Sequence, residues 1–207
     1  MTVALFDAGE THRRFVGVAE AISPALAVDL AAIGPVAWPE RRDDGLGLFL
    51  SRAVVGQQLS TRVASVIWNR IEALPRDAGG DVLGIFRADN AQALRACGVS
   101  GNKVKALTAI RDAAMAGRLA EEALRAVTAD ERGRRLQTIW GIGQWTCDMA
   151  SIFYFRDVDV WPEGDAAVIR TFARYIGRRQ PAKTAARFAP QRSVLALYMW
   201  AIIDGVP

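Results

Sequence analysis

The chain has 207 residues, 51% of them hydrophobic, and carries 26 Lys and Arg against 22 Asp and Glu for a formal net charge of +4. That length accommodates one large domain or two small lobes with an ample core, and the apolar content excludes a disordered polymer. No apolar run reaches the ~20 residues of a membrane-spanning helix, the first ten residues lack the basic-then-apolar order of a signal peptide, and two cysteines, Cys97 and Cys147, are too few for a disulfide framework, so the expected compartment is a reducing cytoplasm.

Strand signals are scarce, whereas helical periodicity recurs along the chain. Apolar residues at 46, 48, 49, 50, 53 and 54 predict a helix over Leu46–Val55, with a second over Thr61–Leu74. A short helix is expected over Asn90–Ala96, closed by Gly98, and a long one over Asn102–Ala116 with Lys103, Lys105 and Arg111 on polar positions. Thr128 and Glu131 form a capping box that starts a helix at about Ala129. This helix runs through Leu136–Ile139 into Gly141-Ile142-Gly143, and Gln144–Phe155 follows as the next. Arg156–Gly164 reads as a loop, Asp165 as the N-cap of a helix over Ala166–Ile176, and the last helix spans about Ser193–Asp204. The fold class is therefore all-α, with roughly ten helices joined by Gly/Pro-punctuated turns and no internal repeat. The boundaries expected are a helical bundle lobe over 46–155 and a second lobe made of 1–45 plus 156–207.

Two helices around a tight double-glycine turn form a helix-hairpin-helix. Gly141 and Gly143 are expected to supply the turn dihedrals and to leave no Cβ in the way. The amides of such a turn, with the start of the Gln144 helix behind them, make a nest for a phosphate oxygen that grips a nucleic-acid backbone without reading its sequence. The basic excess fits such a partner, and much of it comes in pairs: Arg13-Arg14, Arg41-Arg42, Arg134-Arg135 and Arg178-Arg179.

The run "LQTIWGIGQWTCDMA", followed by Asp165 at a helix start, resembles the helix-hairpin-helix glycine/proline–aspartate (HhH-GPD) DNA glycosylases, and among them the alkylpurine enzymes of the 3-methyladenine DNA glycosylase II kind. Three further blocks fall in that family's order. "AVVGQQLS" (Ala53–Ser60) is similar to its minor-groove wedge, "GVSGNKVKAL" (Gly98–Leu107) to a characteristic helix start, and "PQRSVLALYMW" (Pro190–Trp200) to its C-terminal helix. The resemblance covers about Asp29–Asp204 and implies a minimal two-lobed catalytic core without the N-terminal β-domain of larger relatives, with the active-site cleft between the lobes.

What it implies chemically is a monofunctional base-excision repair enzyme, acting as a monomer on double-stranded DNA with a damaged base. The enzyme would flip out an alkylated purine of the 3-methyladenine or 7-methylguanine type and hydrolyse its N-glycosidic bond. Asp165 would be the carboxylate that stabilises the positive charge developing on the deoxyribose, its ionised form favoured by the helix N-terminus. Trp145, Trp200 and Met149 would line the base pocket, the indole faces attracting a cationic base. Gln58, Leu59 and Gln57 would wedge into the gap left by the flipped nucleotide. Gly141, Ile142, Gly143, Gln144, Thr146 and Lys103 would hold phosphate, and a Na+ or K+ ion would be held by the carbonyls of Gln137, Ile139 and Ile142. Bifunctional relatives carry a lysine where Trp145 stands, so no Schiff base and no lyase step are expected. No iron–sulfur cluster and no other cofactor is expected either.

Trp140 replaces the hairpin's usual proline, and with Trp161 it is expected in the core. Asp148, Asp157 and Asp159 are read as surface or loop charges, and His12, the sole histidine, as uninvolved in catalysis. Two alternatives remain: action on oxidised or deaminated bases, and a non-catalytic helix-hairpin-helix DNA-binding protein.

Overall fold

In a computed structural model of the chain, the structure describes residues 6–40, 44–74 and 80–205. The Arg41-Arg42 pair lies outside the described residues. Twelve α-helices are present among these residues, with no strand. They are α1 (Ala8–Glu20), α2 (Pro24–Ile33), α3 (Gly45–Gly56), α4 (Thr61–Glu72), α5 (Ala91–Ala96), α6 (Gly101–Met115), α7 (Glu121–Arg125), α8 (Ala129–Gln137), α9 (Gln144–Met149), α10 (Ala166–Ile176), α11 (Pro181–Ala185) and α12 (Arg192–Asp204). The all-α expectation holds.

Six of the twelve helices start after a short polar side chain that accepts a first-turn amide. Asp7, Ser23, Ser60, Ser100, Thr128 and Asp165 each cap the helix that follows, and each such cap is worth about 1 kcal/mol. Pro24 stands at the first position of α2, where a missing N–H costs nothing. Two helices absent from the expected set, α1 and α2, thus carried their start signals in Asp7 and in Ser23-Pro24.

The chain divides into two compact units, Met1–Arg41 with Ser151–Pro207, and Arg42–Ala150. In the first, α1, α2, α10 and α12 pack around Phe15, Leu26, Leu30, Phe172, Phe188 and Tyr198, all fully buried. In the second, α3 packs against α4, α6 and α9, and a core of Val55, Trp68, Ile71, Phe86, Leu94 and Leu107 lies among these helices and the short ones nearby.

The expected single helix over Gln144–Phe155 is two conformations. It is α-helical to Met149 and π-helical over Ala150–Phe155, and Arg156 then adopts a left-handed φ of 63°. The wider π turn changes the phase of the side chains, and an apolar run such as Ala150–Phe155 is equally compatible with either winding. Trp140 is a second correction. It stands 53% exposed at the hairpin, whereas Trp161 is buried edge-on against Phe172 at 5.3 Å between ring centroids. Ile139 and Ile142 take the buried positions of the same turn, which leaves Trp140 on its exposed side.

Candidate active site and nucleic-acid interface

The hairpin is built by α8, the turn over 138–143, and α9. Ile139 donates its amide to Leu136 O at 3.0 Å and Ile142 donates to Ile139 O at 3.1 Å, which winds the turn tightly, while the side chains of Ile139 and Ile142 are buried beneath it. Gly141 has φ +87°, and a Cβ at that position would lie 2.4 Å from Ala106 Cβ on α6. Glycine is therefore required there on both counts. Gly143 is different, contrary to expectation. Its φ of −100° and ψ of 179° suit any residue, and nothing stands within 4 Å of a Cβ built on it. What Gly143 contributes is open space over the start of α9, where the first-turn amides of Gln144, Trp145 and Thr146 precede the first backward hydrogen bond of the helix, Cys147 N to Gly143 O at 3.1 Å.

A side-chain relay crosses the hairpin. Gln137 Nε2 donates to Gln144 Oε1 at 2.8 Å, and Gln144 Nε2 donates to Asp148 Oδ1 at 2.8 Å. Asp148 is buried, not a surface charge, and the 144/148 spacing, four residues apart on one helix face, was the sequence signal for its partner. Cys147 is buried with its Sγ directed to Gly133 O at 3.7 Å. Burial pushes its thiol up to about 11, against an opposing hydrogen bond from Gln137 and with a lesser push from the neighbouring Asp148 charge.

The wedge candidates form a β-turn after α3. Gln57 has φ −49° and ψ 128°, Gln58 has φ +59°, and Leu59 donates its amide to Gly56 O at 3.1 Å. These are the dihedrals and the bond of a type II turn, whose third position usually holds glycine. Gln58 and Leu59 are exposed at its tip, while Gln57 Nε2 donates to Oγ1 of fully buried Thr146 at 3.0 Å. Lys103, in the first turn of α6, donates from Nζ to Val55 O at 2.9 Å and to Gln57 O at 2.8 Å. Its partial burial lowers its pKa from the ordinary lysine range.

Two pocket candidates lie on α9 one turn apart: Trp145, half-buried, and Met149, buried. The others belong to the first unit. Asp165 is 8% exposed and caps α10, its Oδ1 accepting the amides of Ala167 at 3.0 Å and Val168 at 2.9 Å. Trp200 lies on α12, which packs against α10, and it is half-buried with its ring 5.3 Å from that of Phe153 in the π-helical segment. The loop ahead of Asp165 is tied to the start of α12. Arg192 donates its backbone amide to Asp159 Oδ1 at 3.0 Å and its guanidinium to both carboxylate oxygens, and Ser193 Oγ donates to Asp157 O at 2.7 Å. Asp159 is thus a loop residue that fixes a helix start, its carboxyl held below the usual range by the Arg192 hydrogen bond. His12 is engaged elsewhere, its Nδ1 2.8 Å from Tyr198 Oη.

No protein-family model matches the chain. It is, however, 34% identical over 160 residues to DNA-3-methyladenine glycosylase 1 of Schizosaccharomyces pombe, an alignment covering 73% of this chain and 69% of that protein. The chain belongs to the DNA-3-methyladenine glycosylase family. Solved family structures superpose on nearly all of it. The S. pombe 3-methyladenine DNA glycosylase in complex with abasic DNA matches with a TM-score of 0.78 at 28% identity, covering 94% of this chain and 97% of that one. A DNA-3-methyladenine glycosidase from Bacillus halodurans matches with a TM-score of 0.73, also at 28% identity, over 94% of this chain and 90% of its own. The fold is thus that of the helix-hairpin-helix glycosylases. Among the described residues no cluster of His, Cys, Asp or Glu could hold a metal ion, and no helix is long and apolar enough to cross a membrane.

Proposed function

We propose that this chain is a monofunctional DNA glycosylase that flips alkylated purines out of double-stranded DNA and releases them by hydrolysis. The observation that carries the reading is the buried Asp165, anchored by two helix amides, in a chain of the 3-methyladenine glycosylase family. Breaking the N-glycosidic bond sends its electron pair out with the base and leaves positive charge spread over C1′ and the ring oxygen of the sugar. A carboxylate fixed in advance stabilises that charge with no reorganisation at the moment of reaction. Water then adds at C1′ and gives up a proton, so that the products are the free base and an abasic site.

The remaining residues divide the other tasks. Gln58 and Leu59, at the exposed turn tip, would enter the stack as the base leaves. Trp145 and Trp200 would face a base that carries formal positive charge, a preference of about 0.5–2 kcal/mol per ring over a neutral one. The hairpin amides around Gly143 would hold phosphate. A Na+ or K+ ion at the carbonyls of Gln137, Ile139 and Ile142 fits the donor set, since such oxygens suit hard cations and Ile139 O has a second lone pair beyond the bond from Ile142 N. Bound there, the ion would supply positive charge next to a DNA phosphate. Two buried free thiols fit a reducing, cytoplasmic setting, where the chain would act as a monomer.

Single-turnover release of 7-methylguanine and 3-methyladenine from methylated DNA, with wild type against Asp165→Asn, tests the proposal. Asparagine preserves the helix cap and removes only the charge, so release by the wild type should fall by orders of magnitude in the variant. Equal release by both would show that another group carries the role. Release of oxidised or deaminated bases in preference would move the substrate class away from alkylated purines.

A further inference from the structure

Lys103 and Ala106 are three residues apart on one face of α6. Ala106 receives the hairpin at Gly141, where there is no room for a Cβ. Lys103 Nζ takes the carbonyls of Val55 at 2.9 Å and of Gln57 at 2.8 Å. These belong to the C-terminal end of α3, where carbonyls lack helical partners and where a cation complements the helix dipole. The turn that follows carries a non-glycine residue, Gln58, in the left-handed region. That conformation persists only where the surroundings over-determine it. Three ties do so here. They are the Leu59–Gly56 bond within the turn, the Gln57–Thr146 bond to α9, and the two bonds from Lys103.

We infer that Lys103 is a positioning residue that holds the Gly56–Leu59 turn in register with the hairpin, rather than a phosphate ligand. The inference rests on the reading of Gln58 and Leu59 as the wedge. Two of the three donors of the ammonium are committed to carbonyls of the chain itself, and the residue is half-buried. One face of α6 thereby sets the spacing between the residues that would fill the gap in the base stack and the turn that would grip the backbone. Lys105, two residues on, is exposed and provides the matched control for a lost charge.

The test uses the full chain and reads the turn directly. Amide exchange at Leu59 is compared in wild type, Lys103→Met, Lys103→Gln and Lys105→Met. Losing two charge-assisted hydrogen bonds should speed exchange at Leu59 by about tenfold or more in Lys103→Met. Lys103→Gln, which keeps one donor group, should fall between, and Lys105→Met should match wild type. The same proteins are titrated on undamaged duplex across a salt series. Lys103→Met should leave the slope of log Kobs against log salt unchanged, whereas loss of a phosphate ligand lowers it by about 0.9. Unchanged exchange together with a lowered slope would overturn the assignment. In base release, Lys103→Met and Gln58→Ala should be non-additive if both act through the wedge. A wild type that releases no base would sink the glycosylase reading, while the exchange data would still decide the role of Lys103.

Discussion

Gly141 of the hairpin and Ala106 of α6 are in such close approach that a Cβ on the glycine would fall 2.4 Å from that of the alanine. Gly141 also holds φ +87°. Gly141→Ala therefore meets a left-handed backbone penalty and an overpacked contact together, a cost of about 2–4 kcal/mol, and equilibrium unfolding should show it. Gly143→Ala separates folding from binding at the same hairpin. Its backbone accepts alanine and the space above it is open, so stability should stay within about 1 kcal/mol of wild type. The added methyl would stand over the first-turn amides of α9, and affinity for duplex DNA should fall by roughly tenfold, or 1.4 kcal/mol. If Gly143→Ala binds normally, the phosphate does not approach there.

Gln58 at φ +59° gives a trade-off of the opposite kind. A non-glycine residue in that conformation costs on the order of 1 kcal/mol, which Gln58→Gly would relieve, offset in part by the greater freedom of glycine in the unfolded chain. Thermal unfolding should show the variant no less stable than wild type. Single-turnover base release should nevertheless drop, because the side chain that would occupy the gap is gone. A stable variant with undiminished release would take Gln58 out of the wedge and leave Leu59 as its tip.

Local signals in the sequence were enough for those parts of the site whose chemistry is local. Thr128 caps α8 through the amide of Glu131, although the Glu131 carboxylate turns to Arg134 and Arg135 rather than completing the box, Asp165 caps α10, and the glycine turn between α8 and α9 stands where the periodicity breaks. Contacts between distant residues were not legible. Lys103 meets carbonyls 48 and 46 residues away, and a lysine on a polar helix position reads equally well as solvated. The reason for Gly141 lies in Ala106, which no property of the turn itself encodes. Gln58 occupies a glycine conformation because its surroundings require it, and the π winding after Met149 differs from α by phase alone. Trp140 is exposed because it stands in a turn, a placement that its hydrophobicity does not encode.

Trp145 lies in the first turn of α9, at the position where the family resemblance implies a lysine amine in bifunctional enzymes. Indole has no nucleophilic amine, so no Schiff base can form there. Borohydride added during turnover on methylated DNA should leave no covalent protein–DNA adduct, and the product strand should be cleaved only after separate treatment of the abasic site. A trapped adduct would mean that another amine reaches C1′, and mapping its peptide would identify the residue.

Cys147 links the hairpin to alkaline stability. Its thiol is raised from 9.0 to about 11 chiefly by burial, which outweighs the hydrogen bond with Gln137, the Asp148 charge adding a smaller push upward. Between those values the folded chain keeps a proton that the unfolded chain has lost, so the stabilising difference is complete below pH 9 and disappears as pH climbs to 11. The slope cannot exceed about 1.4 kcal/mol per pH unit for one proton. Tyr175 and Tyr198, both raised to about 12 mainly by burial, add the same sign above pH 10. Denaturant unfolding at pH 8, 9 and 10 should therefore show stability falling in wild type and falling less from pH 9 to 10 in Cys147→Ala, where the Cys97 thiol, also raised by burial, still contributes with the same sign. Because the tyrosines contribute little in that interval, a decline of equal size in both proteins would mean that the thiol titrates normally and is less enclosed by α8 and α9 than its geometry indicates.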